Sequence, residues 1–198
     1  MLADPADQQR LLTLAELDSE IGRLQHTAKK LPQHARIAEL MRNRQAVTDD
    51  LVAVTTRVGD LELSVRRAES DLVPVRTRLD RESKRVGDGS VTDPKVLRGL
   101  MEEVERIKRR IIELEDAELD LMGQLEETTA ERDELATRKK EVEETLRAEV
   151  AVRDVEVSKL STEAKAAAAS RASEAEKVPA PLLALYEKIR THRGLGAA

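Results

Sequence analysis

A chain of 198 residues that is 37% charged and carries one Tyr, no Phe and no Trp lacks the aromatics with which a compact core of this length is built. Its net charge of −5 argues against a nucleic-acid-binding surface, and its lack of Cys excludes disulfides, thiolate chemistry and Cys-based zinc sites. The remaining Leu, Val, Ile and Ala, set among Glu, Lys and Arg, suit the narrow seam of paired helices.

Asp4-Pro5-Ala6-Asp7 reads as a helix start: Asp4 can cap, Pro5 fits the first turn and Asp7 favours the positive end of the dipole. Leu14, Leu17, Ile21, Leu24, Ala28 and Leu31 follow at steps of three and four, so a helix is expected over about 4–31. Leu11 and Leu12 widen its apolar face near the start and are candidate partner contacts. Pro32 removes a backbone donor and disfavours helix at the residue before it. The seam also slips here. Its next position after Leu31 would be Ala35, yet the pattern resumes at Ile37, so a kink or short break is expected at Leu31 to Gln33, with Pro32 a candidate hinge.

The next helix, about 33–86, carries an a/d heptad pattern: Ile37, Leu40, Val47, Leu51, Val54, Val58, Leu61, Val65, Ala68, Leu72, Val75, Leu79 and Val86. Arg44 and Glu82 are the polar residues on this seam. Pro74 falls at an outward position and the seam keeps phase across it, which predicts a bend and a second candidate hinge rather than a reversal. The reversal is expected at 87–93, the strongest turn cluster in the chain, with Gly87, Gly89 and Ser90 at the tip, Thr92 or Asp93 as cap, and Lys95 opening the return after Pro94.

The returning helix, about 94–177, has a well-made seam near the tip through Leu97, Leu100, Val104, Ile107, Ile111 and Leu114. Further on, Glu118, Thr128, Arg132 and Lys139 occupy seam positions, and the weak stretch around Arg132 and Lys139 is a second candidate partner surface. Two successive steps of four, Val142 to Leu146 to Val150, make a stutter. In a chain folded back about Ser90 this stutter lies level with the slip at Pro32. An Ala-rich stretch from Lys165 to Lys177 ends at Val178-Pro179-Ala180-Pro181. A short amphipathic helix follows, with Leu182, Leu183, Leu185, Tyr186 and Ile189, closed by Arg190, His192, Arg193 and Gly194. Tyr186 is expected to pack this helix onto the base of the hairpin, and a partner contact is its alternative role. The fold expected is all-α: a long antiparallel two-helix coiled-coil hairpin over 1–177, jointed near Pro32 and Leu146, with a short helix and tail over 178–198.

No chemistry-bearing constellation emerges. His26, His34 and His192 are scattered, no nucleophile–base pair is spaced for catalysis, and the phosphate-loop pattern is missing around Gly87 and Gly89. No catalytic, cofactor-binding or metal residue is assigned, and an enzyme is not expected. The basic clusters, such as Lys108-Arg109-Arg110, are followed by acids, as on a solvated coiled-coil face. With no apolar run near membrane-spanning length and no signal peptide, a cytoplasmic location is expected.

Four stretches, covering essentially the whole chain, resemble a bacterial family. They are Gln9-Arg10-Leu11-Leu12-Thr13-Leu14-Ala15-Glu16-Leu17-Asp18, Leu31-Pro32-Gln33-His34-Ala35, the tip and its return from Asp93-Pro94-Lys95-Val96-Leu97 through Ile107 to Asp116, and Leu182 to Arg190. The chain is similar to actinobacterial members of the family in which a coiled-coil hairpin precedes a four-cysteine zinc ribbon. Some members are described as adaptors that bind a transcription sigma factor and messenger RNA, so the resemblance implies a scaffold or regulatory role. The ribbon is absent from these 198 residues, so its zinc cannot be placed on any residue here. The first function expected is therefore a non-enzymatic adaptor with a protein partner. The alternative is a nucleic-acid-associated protein whose hairpin is a spacer for the ribbon. Homodimerisation through apolar edges is a further expectation.

Overall fold

The computed structural model describes residues 4–193; Met1 to Ala3 and the tail from Gly194, including the helix stop expected there, lie outside the described residues. Among the described residues four helices and no strand occur: α1 (Pro5–Lys29), α2 (Pro32–Gly87), α3 (Pro94–Ala175) and α4 (Ala180–Arg193). The helical class, the long antiparallel hairpin and the short C-terminal helix are as expected. The chain divides into two units, Met1–Asn43 with Val142–Ala198, and Arg44–Glu141, so α4 belongs to the same unit as α1.

In the first unit, Asp4 caps α1 by accepting from the Ala6 backbone at 2.8 Å, with Pro5 in the first turn. The helix ends at Lys29. The Lys30 amide donates back to His26 and Thr27, and the His34 ring Nε2–H donates to the Ala28 carbonyl at 3.0 Å. A side chain from the start of α2 thus satisfies one of the carbonyls that α1 leaves open. The slip in phase is real: Ala35 is exposed and Ile37 buried. Leu14 is 0% exposed, and Leu24, Ala167 and Val178 are buried with it in this unit. Val142 is buried, and the positions after the stutter, Leu146, Val150, Arg153 and Val157, are all at least half-buried, so the seam does shift phase there.

In the second unit the heptad seam of α2 is buried or half-buried at every apolar position from Val47 to Val86. Its tightest cluster joins Leu72, 1% exposed, to Ile107 and Ile111 of α3, with Val75, Leu79 and Leu114 packed against it. Glu82, the seam carboxylate, is buried and bonded by Arg81 at 3.0 Å and Arg85 at 2.7 Å. Hydrogen bonds from Arg81 first, then Arg85, outweigh the desolvation that opposes them and hold its pKa below the ordinary value. Three pairs bridge α2 to α3 along the rim of the seam: Arg57 to Glu131 at 2.7 Å, Arg76 to Glu115 at 2.7 Å and Arg78 to the half-buried Glu103 at 2.6 Å. In water such pairs contribute little individually; they fix the antiparallel register more than they stabilise it. Pro74 sits exposed inside α2, which continues through it without reversal. The carbonyl it deprives of a donor is that of Ser70, itself exposed, so water can serve it. At the turn the Asp88 side chain accepts from the Ser90 amide at 2.9 Å, Gly89 takes a φ of 69°, and Asp93 caps α3 through the Lys95 amide at 2.7 Å.

Candidate functional site

The most highly organised polar group in the chain lies in the first unit, where α1, α3 and α4 meet. Its centre is Asp18, 6% exposed. Asp18 sits one turn after Leu14 on the inward face of α1, so its carboxylate must find donors or carry an unfavourable buried charge. Four contacts satisfy it. Arg171 of α3 donates through Nε at 2.6 Å and Nη2 at 3.2 Å, the Tyr186 hydroxyl of α4 donates at 2.8 Å, and Arg190 of α4 donates at 2.6 Å. Glu187 of α4 accepts from both Arg171 and Arg190, so neither guanidinium rests on Asp18 alone. Tyr186, Glu187 and Arg190 share one face of α4 through their spacing of about one turn.

The electrostatics follow from the geometry. Desolvation pushes the Asp18 carboxyl up, but the hydrogen bonds from Arg171 and Tyr186 and the charges of Arg171 and Arg190 together hold it below the usual carboxylate range. Tyr186 is pushed up to about 12, by burial first and then by its bond to Asp18 and that carboxylate's charge. The hydrogen bond to Asp18 raises Arg171 further above its already high value, against the desolvation that lowers it. The cluster thus ties α1, α3 and α4 together around one carboxylate that is held ionised. The arrangement is a clamp. A second tie supports it: Arg10 Nη1 donates to the Lys177 carbonyl at 2.9 Å and to Asp7 at 3.1 Å.

Of the candidate contact, tip and hinge residues expected from the sequence, only Tyr186 belongs to this group. Leu11 is half-buried and Leu12 exposed on α1. Arg132 is half-buried and directs its guanidinium to its neighbour Asp133 at 2.9 and 2.7 Å, and Lys139 is half-buried one heptad further on. Gly87, Gly89, Ser90 and Lys95 are exposed at the turn, Pro32 opens α2 and Pro74 lies within it. Arg190 was expected only as a basic residue closing the last helix, and Asp18, Arg171 and Glu187 were given no role. A signal for two of them exists: Asp18 is a carboxylate one turn beyond Leu14, and Arg171 is the one charged residue between Lys165 and Glu174 and continues the seam from Leu160, Ala164 and Ala167.

The chain has no Cys, and no group of three or more His, Cys, Asp or Glu among the described residues could hold a metal ion. No helix among the described residues is long and apolar enough to cross a membrane.

A long antiparallel coiled-coil hairpin whose short C-terminal helix is clamped back onto its first and third helices defines the class of protein. The chain belongs to the CT398-like coiled coil hairpin domain family, whose sequence pattern matches residues 14–194. It is 33% identical over 201 residues to the uncharacterized protein Rv2229c of Mycobacterium tuberculosis, spanning 100% of this chain and 80% of that one. A structure from Mycobacterium smegmatis is similar with a TM-score of 0.81 and 32% identity, covering 97% of this chain and 79% of its own. CT398 from Chlamydia trachomatis, at 15% identity, shares the fold with a TM-score of 0.67 over 96% of this chain and 80% of its own.

Proposed function

We propose that the chain is a non-enzymatic adaptor, a helical scaffold that presents side chains to a protein partner in the cytoplasm. The observation that carries this reading is a set of large apolar side chains left in water on helices whose seams are already filled. On α3, Met101, Ile112 and Leu119 are exposed. Their spacings of eleven and seven residues bring each back to within about 20° of one line along the helix. On α2, Val52 and Leu63 are exposed at the same eleven-residue spacing. A paired coiled coil has no need of such residues for its own stability, and their recurrence on one line, with the charged Lys108 among them, offers a partner spaced apolar anchor points. The polar cluster around Asp18 supports the same reading, because it holds α4 in place against α1 and α3.

The test places a photo-crosslinking amino acid at Ile112 or Leu119 in the full chain in its native host, with Arg110, an exposed position on the same helix, as control. A discrete crosslinked partner from the stripe positions and not from Arg110 is the expected result. Equal, diffuse labelling from all three positions would remove the basis for the adaptor reading.

A further inference from the structure

Beside the clamp, the first unit contains an open groove of about 820 Å³ that the fold leaves unfilled. One wall is α1, through Ile21, Leu24 and Ala28. The other is α3, through Leu160, Ala164 and Ala168. Each wall repeats at three and four residues, so the groove runs along both helices. It spans Val157 to Ala168 on α3, about 16 Å or three helical turns. Ala28, Ala164 and Ala168 stop short of filling the space between the helices. No residue of α4 lines the groove, although α4 docks on the same two helices at Asp18 and Arg171.

The charged groups at this groove have one sign. Lys29 and Lys165 line it, no Asp or Glu does, and neither lysine forms an ion pair among the described residues. On a chain of net charge −5, an apolar trough whose charged lining residues are both cationic is complementary to an acidic partner. His34, held by its bond to the Ala28 carbonyl, closes one end.

We infer that this groove is the docking site for an amphipathic helix of a protein partner, about three turns long, with a leucine-rich face flanked by Glu or Asp. This rests on the adaptor reading and gives it a surface and a partner chemistry. A helix suits the groove better than a free acyl chain, because the trough is open along its length. A helix lays one face into such a trough and keeps its polar face in water, as a third member of a bundle. The partner's large side chains fill the hollows over the alanines, and its carboxylates meet Lys29 and Lys165. The apolar contact supplies affinity, while the charge pairs supply orientation and preference.

The test uses the full chain and fluorescein-labelled synthetic 18-residue helical peptides with leucines at i, i+3, i+7, i+11 and i+14. One has Glu at the flanking positions, a second has Lys there, and a third has the acidic composition in scrambled order. Fluorescence anisotropy at low salt is expected to show the acidic amphipathic peptide binding at least tenfold more tightly than either control. Lys29→Glu with Lys165→Glu, both exposed positions, should reverse the preference between the acidic and basic peptides. Ala164→Phe should weaken the acidic peptide at least tenfold, with helix content by circular dichroism unchanged. Equal affinity for the acidic and basic peptides, no binding of the acidic peptide, or affinity indifferent to the double lysine variant would overturn the proposal. So would light scattering that shows a dimer dispersed by the lysine variant, since the groove would then be filled by a second copy. A partner that crosslinks at Ile112 but not at a photo-crosslinker placed at Ser161, a lining position that leaves both lysines intact, sinks the groove and spares the adaptor. Absence of any discrete crosslink at either place removes the adaptor itself.

Discussion

Replacing Asp18 by Asn keeps the shape of the side chain and removes its charge, which isolates what the clamp contributes. Asp18 accepts four hydrogen bonds from Arg171, Tyr186 and Arg190. Bonds to charged groups contribute roughly 1.5–3 kcal/mol each when buried. The arginines are partly in water, with side-chain exposures of 18% and 33%, and both keep Glu187 as a partner. The amide also retains one acceptor. The loss is therefore nearer that of one good bond than of four, about 2.5 kcal/mol for the docking of α4. At a factor of ten per 1.4 kcal/mol, that raises the undocked population roughly 60-fold. Hydrogen exchange read by mass spectrometry reports it directly. Amides across the 14 residues of α4 should exchange faster by that order, while those around Leu72 and Ile107 in the second unit keep their rates. Unchanged exchange in α4 would refute the argument that Asp18 holds this helix. An equal acceleration around Leu72 would refute its local character.

Acid should release the same helix. Asp18 has a folded pKa below its unfolded value, so its stabilisation is complete above about pH 4 and is lost as pH falls through the lower native value. Protection of α4 should hold flat from pH 7 to about 4 and then fall, and the Asn variant should lack the transition. At the alkaline end Tyr186 stands at about 12, so its contribution persists below about pH 10 and disappears as pH rises toward 12, visible as phenolate absorbance together with loss of α4 protection. Leu72→Ala, which opens a cavity at a position 1% exposed, should cost about 3 kcal/mol, measured by urea denaturation followed by circular dichroism. Gly89→Ala should cost about 1 kcal/mol in the same assay, because its φ of 69° is strained for a side chain although the space around it is open.

The seam of this protein was open to reading because burial in a coiled coil is a periodic function of position. Val47 to Leu72 alternate three and four, and the structure buries or half-buries each. The break at Pro32, the shift from Ala35 to Ile37 and the turn at Gly87 to Asp93 were legible for a related reason: Pro and Gly change the backbone locally, and the phase of the seam records the change. The clamp was not legible. Asp18 gains its role from Arg171 and Arg190, which lie 153 and 172 residues away, and no periodicity links a carboxylate on one helix to guanidiniums on two others. Tyr186 stood out because it is the only aromatic, yet its sequence neighbours gave no hint that its hydroxyl ends on a buried acid. The groove is hidden likewise. Alanine reads as a helix former, and the hollow it leaves depends on what the facing helix places opposite it.

The helical pairs of this fold differ widely in how much chain lies between their members. Arg78 and Glu103 are 25 residues apart, Arg76 and Glu115 are 39, Arg57 and Glu131 are 74, and Asp18 and Arg171 are 153. Closing a loop costs more entropy as it lengthens, so the pair beside the turn forms most readily, and each pair that forms shortens the loop left for the next. The molecule should therefore close like a zip fastened from Gly89 outward, with the α4 lock engaging after the long helices have met. Slowing the turn should delay every later contact, whereas breaking the lock should leave the closing rate almost untouched and hasten only the reopening of that end.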